Sequence, residues 1–195
     1  MNQPLGLILA GGKATRMGGG DKGRLMLRGQ SLFDHVIGRL APQVAALALN
    51  ANGDPARLAD LNLPVVPDSL PDHPGPLAGV LAGLDWAASQ GADTIVTVAA
   101  DTPFFPEDLT PRLLLAAEGM ANPLALAASG GHRHPTFGLW PTALRDDLRK
   151  ALQNGTRKVV IWTDAHGAAT ADFPSGPIDP FFNVNTPEDL EKANA

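Results

Sequence analysis

The chain predicts an α/β fold: a mostly parallel sheet with helices on both faces and a small antiparallel portion in the second half. Runs of strand length alternate with segments of helical periodicity, the pattern of successive strand–helix units. The runs at 5–10 and 94–100 are apolar or β-branched almost throughout, as in strands covered on both faces. The first run ends abruptly in a glycine-rich loop, at the strand's carboxyl end, where open α/β sheets bind ligands.

Taken in order, residues 5–10 read as a buried strand. Phe33, Val36, Ile37 and Leu40 fall at i, i+3, i+4 and i+7, which predicts a helix over 31–41 with Ser31 as its N-cap. Residues 44–50 read as a second strand, 55–60 as a short helix and 63–66 as a short strand. Leu77, Val80, Leu81 and Leu84 mark the next helix, and 94–100 is the clearest strand. A helix is expected over 106–117, with Pro106, Glu107 and Asp108 in its first turn. Residues 124–128 and 135–140 read as a hairpin around Ser129-Gly130-Gly131. Leu144, Leu148 and Leu152 share a helical face, 157–163 predicts a helix and 167–173 a strand. Thr186-Pro187-Glu188-Asp189 opens a last helix, capped by Thr186 or Asn185 with Pro187 in its first position. Without an internal repeat or a linker-like tract, 1–195 is expected to form one domain.

Composition narrows the function. Hydrophobic residues make up 44% and charged residues 18%, a globular balance. The formal net charge of −5 argues against a general nucleic-acid binder. Against it, Lys13, Arg16, Lys22, Arg24 and Arg28 stand within sixteen residues with only Asp21 opposing, a local focus suited to a small polyanion. There is no cysteine, which excludes disulfides, thiolate metal sites and a Cys nucleophile. The start of the chain lacks a basic signal-peptide region, and no segment has the length to span a bilayer. A cytoplasmic protein without membrane partners is expected.

The loop after the first strand carries the chemistry. Bare glycine N–H groups form a concavity for anions, and Lys13, Arg16 and Lys22 add full charges. The loop fits neither common phosphate fingerprint: Gly23-Arg24 stands where the Walker pattern needs Ser or Thr, and no helix follows the glycines at once. Asp101 directly follows the 94–100 strand at the same sheet edge, and suits Mg²⁺ shared with substrate phosphates. An Asx-turn before Thr102-Pro103 would need the same residue. Asp68 also follows a strand, and Gly75 and Gly79 flank a proline-stiffened helix entry with room for a flat ligand. His132 and His134 read better as a polar hairpin than as a metal pair. Asn183 and Asn185 alternate on an extended run, so both amides share a face and suit a heterocycle edge. No Ser/His/Asp order, zinc-hydrolase helix or paired-carboxylate signature is present.

The stretch Leu9-Ala10-Gly11-Gly12-Lys13-Ala14-Thr15-Arg16-Met17-Gly18-Gly19-Gly20-Asp21-Lys22-Gly23 resembles the signature loop of the nucleotidyltransferase superfamily. Its Asp-Lys-Gly ending is similar to one branch, the molybdenum cofactor guanylyltransferases (the MobA family). The resemblance continues through Asn50-Ala51-Asn52, Pro67-Asp68-Ser69, Pro74-Gly75-Pro76-Leu77-Ala78-Gly79, Asp101-Thr102-Pro103, His134-Pro135-Thr136 and Phe182-Asn183-Val184-Asn185-Thr186-Pro187-Glu188-Asp189-Leu190. It covers essentially the whole chain and implies a single Rossmann-like domain. The activity it implies is transfer of GMP from GTP to molybdopterin carrying molybdenum, with release of pyrophosphate. By resemblance, Leu9, Ala10, Gly11 and Gly12 line the guanosine and phosphate site. Arg16 and Lys22 contact phosphates. Asn50 and Asp68 hold the nucleoside, with Gly75 and Gly79 close to it. Asp101 carries Mg²⁺, and Asn183 and Asn185 lie on the pterin side. A monomer is expected, with proteins that deliver or receive the cofactor as possible partners. The competing readings are a related transferase using CTP or another phosphorylated acceptor, and a nucleotide-binding regulator without turnover. Lys22 together with Asp101 favours catalysis, since binding alone does not need both charges.

Overall fold

The computed structural model describes residues 3–11, 21–70, 75–176 and 179–194. Among these residues, seven strands form one sheet. In chain order they are β1 (Leu5–Leu9), β4 (Leu47–Asn50), β5 (Val65–Val66), β6 (Thr94–Ala99), β7 (Ala125–Ser129), β8 (His132–Pro141) and β9 (Ala169–Phe173). Across the sheet the order is β5-β4-β1-β6-β8-β7-β9. β5, β4, β1 and β6 run parallel, β8 opposes both β6 and β7, and β9 is again parallel to β7. The antiparallel portion is thus one strand, in the expected half. A separate two-stranded ribbon, β2 (Met26–Leu27) with β3 (Gln30–Ser31), turns through Arg28 and Gly29 at φ 49 and 83, the double left-handed turn of tight hairpins.

Among the described residues there are six α-helices: α1 (Leu32–Leu40), α2 (Pro76–Ser89), α3 (Leu109–Ala116), α4 (Arg145–Gln153), α5 (Val159–Ala165) and α6 (Pro187–Asn194). Strand residues alternate between two cores. Ile8, Leu49, Val96 and Val98 meet Phe33, Val36 and Leu40 of α1 and Leu109 and Leu113 of α3. Leu5, Leu7, Ala48 and Ile95 meet Leu77, Val80, Leu81 and Leu84 of α2, with Leu148 and Trp162 from α4 and α5. A smaller cluster joins Leu27, Leu32, Val184 and Ala193, fastening α6 to the β2–β3 ribbon. Among the described residues no helix is long and apolar enough to cross a membrane.

Local chemistry sets the element ends. Ser31 and Asp34 form the reciprocal capping box of α1, with Asp34 N–H donating to Ser31 Oγ at 3.1 Å and Ser31 N–H to Asp34 Oδ2 at 3.0 Å. The helix expected from 106 starts only at Leu109: the Pro106 carbonyl accepts from Leu109 N–H in a tighter turn at 3.2 Å, and Thr110 N–H, which would bond it in an α-helix, donates to Gln43 Oε1 at 2.8 Å. β8 pairs with β6 only between Thr94↔Pro141 and Thr97↔Gly138. On its other side a register shift takes the pairing from Leu126↔Gly138 to Ala127↔His134, so Pro135, Thr136 and Phe137 bulge out. The buried Thr97 hydroxyl donates to Thr136 carbonyl oxygen at 2.9 Å and accepts from Trp140 Nε1 at 2.8 Å. That knot closes the pairing at Thr97. Beyond it the end of β6 and the bulge separate, and a cleft opens at the sheet's carboxyl edge.

Candidate active site

The cleft has a volume of about 420 Å³. Leu9, Ala10 and Gly11 at the end of β1 form its floor with Ala99, Ala100 and Asp101 at the end of β6. Asn50, Asn52, Asp68, Gly75 and Pro76 wall one side, and Lys22, Gly23, Thr136 and Asn183 complete it. Gly12 and Arg16 lie outside the described residues, as does Lys13.

On the β4–β5 side, one carboxylate is held by two amides. Asn50, 3% exposed, donates from Nδ2 to Asp68 Oδ1 at 2.9 Å and to the Val66 carbonyl at 3.1 Å. Asn52 donates to Asp68 Oδ2 at 2.8 Å and takes the Asp68 backbone N–H on its own Oδ1 at 2.9 Å. Strand β4 ends at Asn50 and β5 at Val66, so parallel pairing delivers both groups to the same edge. Gly79 is not in the cleft wall. A Cβ there would fall on the side-chain amide oxygen of Asn50, Oδ1, and lie 2.8 Å from Leu9 Cδ2. Its lack of a side chain makes room for Asn50. Gly75, at φ +124, makes the turn into α2 and does face the cleft. Pro76 follows in the first turn, so the positive end of the α2 dipole meets the cleft rim.

The β6 side is wired the other way. Lys22 Nζ donates to Asn185 Oδ1 at 2.6 Å and lies 3.4 Å from Asp101 Oδ2, with both charged side chains 21% exposed. Val184 N–H donates to the Asp101 carbonyl at 2.8 Å, which docks the C-terminal segment alongside the end of β6. Asn183 reaches the cleft and its Oδ1 accepts from the Thr102 hydroxyl. Asn185 contacts Lys22 and is not part of the cleft wall. Each residue of Asp21-Lys22-Gly23 has its own task. Asp21 accepts from Arg57 Nε at 2.9 Å, Lys22 enters the site, and Gly23 lies flat against the Phe33 ring, where a Cβ would collide. Arg24 reinforces the anchor, donating to both Asp60 carboxylate oxygens, which raises its own pKa and lowers that of Asp60.

A Ser–His–Asp meeting does occur, at Ser129, His134 and Asp179, although the sequence shows no such order. Ser129 Oγ donates to Asp179 at 3.0 Å, since an ionised carboxylate only accepts. His134 Nε2, 2.7 Å from the same oxygen, must therefore donate to it. A nucleophile needs the opposite, an imidazole that takes the hydroxyl proton. Burial holds the His134 imidazole below the usual histidine range, with Asp179 pulling the other way. Its ring stacks on Phe181 at 4.2 Å. The cluster fastens the chain just before Asn183. Among the described residues no group of three or more His, Cys, Asp or Glu is placed to hold a metal ion.

Asn52, Thr136, Arg57 and Thr102 complete the arrangement and were not singled out by their chemistry in the sequence. For Asn52 a signal existed, its alternation with Asn50 just past a strand. Arg57, in a 3-10 helix over Pro55–Leu61, gave none.

The MobA-like NTP transferase domain profile matches residues 6–168. A molybdenum cofactor guanylyltransferase of Bradyrhizobium sp. (strain ORS 278) is 56% identical over 191 residues, 96% of this chain and 90% of the relative. Another, from Cereibacter sphaeroides, is 53% identical over 191 residues, 97% and 95% of the two chains. Among solved structures, molybdopterin-guanine dinucleotide biosynthesis protein A from Archaeoglobus fulgidus matches with a TM-score of 0.73 at 23% identity, covering 97% of this chain and 96% of that one. The 4-diphosphocytidyl-2C-methyl-D-erythritol synthase of Anaerococcus prevotii matches with a TM-score of 0.75 at 13% identity, covering 99% and 95%. These two likenesses concern the fold, which proteins with guanine and cytidyl names share.

Proposed function

The chain belongs to the MobA-like NTP transferase family, and on that premise we propose that it transfers GMP from GTP onto molybdopterin, forming the guanine dinucleotide and releasing pyrophosphate. The observation that carries a catalytic reading is Lys22 and Asp101, 3.4 Å apart, at the carboxyl edge where β1 and β6 end in the cleft.

An oxygen of the terminal phosphate of molybdopterin attacks the α-phosphorus of GTP. The new P–O bond makes a phosphoanhydride, and the bond from the α-phosphorus to the β-phosphate oxygen breaks. The nucleophile is already an anion, so no protein base is required, in keeping with the reversed Ser129–His134 wiring. In this reading Leu9, Ala10 and Gly11, with Gly12, line the guanosine and phosphates. Asn50 and Asp68 hold the nucleoside beside Gly75, and Gly79 serves it through Asn50. Lys22, with Arg16, neutralises charge gathering on the departing pyrophosphate. Asn183 faces the pterin.

The donor set at Asp101 suits Mg²⁺. It is a partly exposed carboxylate that, among the described residues, belongs to no group of three or more metal-ligating side chains, and Mg²⁺ is typically held by one or two carboxylates plus substrate phosphates. Bound there, the ion would supply Lewis-acid stabilisation of phosphoryl charge. Mixing the protein with GTP, Mg²⁺ and molybdopterin tests the reading. Pyrophosphate and the dinucleotide should appear in equal amounts, dependent on all three. Equal competition by CTP would point to a cytidylyltransferase, and nucleotide binding without pyrophosphate to a regulator. A cytoplasmic monomer is the setting we propose.

A further inference from the structure

We infer that Asn185 is the positioning residue of Lys22, acting on transfer through the ammonium and not through a contact with the pterin. The inference rests on the function proposed above and names a different task for an amide that resemblance places on the pterin side. An ammonium has three donors and no acceptor, so the atom facing it must be the amide oxygen. That oxygen, at 2.6 Å, is the short contact of Lys22, and Asp101 at 3.4 Å is the loose one. Lysine carries its charge on a flexible four-carbon stem, so a single long ion pair leaves its position poorly defined. Asn185 supplies the second, tighter point.

The frame behind Asn185 is rigid for reasons unrelated to ligand. Val184, fully buried among Leu27, Leu32 and Ala193, donates its N–H to the Asp101 carbonyl. Asn185 N–H and Thr186 N–H both donate to Asp189 Oδ2 at 3.0 Å, and Asp189 N–H returns to Thr186 Oγ1 at 3.2 Å. Helix α6 and its cap therefore fix the backbone that carries Asn185 on both sides. Asp101 is also the candidate metal ligand, whereas Asn185 is a neutral acceptor, so the hold on Lys22 does not depend on the state of Asp101.

A double-mutant cycle tests this. Asn185→Ala should lower kcat about 10-fold or more, as misplacement of a catalytic group does, and leave the KM for molybdopterin within about 3-fold. In the Lys22→Ala background the same change should have almost no further effect. In a crystal structure of Asn185→Ala, Lys22 Nζ should have left its place near Asp101. The inference is overturned by a raised molybdopterin KM at unchanged kcat, by a full second loss on top of Lys22→Ala, or by an unmoved Lys22. The crystallographic arm stands whatever the enzyme transfers. If wild type uses CTP or another acceptor, the functional reading fails on its own and the cycle is run on that substrate pair.

Discussion

On the β4–β5 side of the cleft, Asn50 and Asn52 donate to Asp68 through bonds of 2.8 to 2.9 Å. On the β6 side Asn185 accepts from Lys22, and Lys22 reaches Asp101 at 3.4 Å. Amides and a carboxylate occur on both sides, but one side is closed on itself and the other is held apart by a cation. A carboxylate with both oxygens taken by amides is a fixed wall, suited to a ligand that must be held in one pose. A partly exposed ion pair at 3.4 Å contributes about 0–1 kcal/mol and is readily exchanged for phosphate oxygens. On the proposed reading, the first side places the nucleotide and the second stabilises charge during transfer.

The largest break in that contrast should come from Asp101→Ala. Turnover should fall on the order of 10³-fold, the scale for losing a group that meets transition-state charge, while thermal unfolding shifts little because the partner pair is weak. Near-normal turnover in saturating Mg²⁺ would remove Asp101 from the chemistry. Gly79→Ala probes the other side without touching ligand. Its Cβ must displace the Asn50 amide, and a nucleoside partner left unpaired costs roughly 1–3 kcal/mol, so GTP affinity by calorimetry should drop about tenfold or more. Unchanged affinity would mean Asn50 does not hold the nucleoside. The smallest effect concerns the cap behind Asn185. Asp189 is held below the usual carboxylate range, by the Asn185 N–H above all, then by the Thr186 hydroxyl and N–H. Its folded value is depressed, so its stabilising effect is complete above the unfolded pKa and is lost as pH falls through the folded one. The Tm gap between wild type and Asp189→Asn should be widest at neutral pH and close below about pH 4. A gap that persists in acid would show that the cap does not act through the ionised carboxylate.

Much of this site is legible in the sequence, for a physical reason. Parallel strands deliver their carboxyl ends to one edge, so Leu9–Gly11, Asn50, Asp68 and Asp101 can be grouped from where apolar runs stop. What sequence does not display is pairing across distance. Lys22 and Asn185 are separated by 163 positions, and alternation alone suggests only that Asn183 and Asn185 share a face. Gly79 reads as clearance for a ligand, but the space it leaves is filled by Asn50. The β2–β3 ribbon is not legible because two-residue strands carry no periodicity, and the start of α3 is not because the distant Gln43 side chain takes the Thr110 N–H that a helix from 106 would use.

The division of labour between the two sides is tested most directly by one paired measurement: GTP affinity and the single-turnover rate of pyrophosphate release at saturating substrates, in Lys22→Ala and Asp68→Ala. Lys22→Ala should lose about 100-fold in rate with GTP affinity changed less than about 3-fold. Asp68→Ala should weaken GTP by roughly 1–3 kcal/mol, the cost of unpairing its partners, with the rate at saturation nearly kept. If Lys22→Ala loses affinity and keeps its rate, or if both variants lose the same parameter, the two sides of the cleft do not divide binding from chemistry.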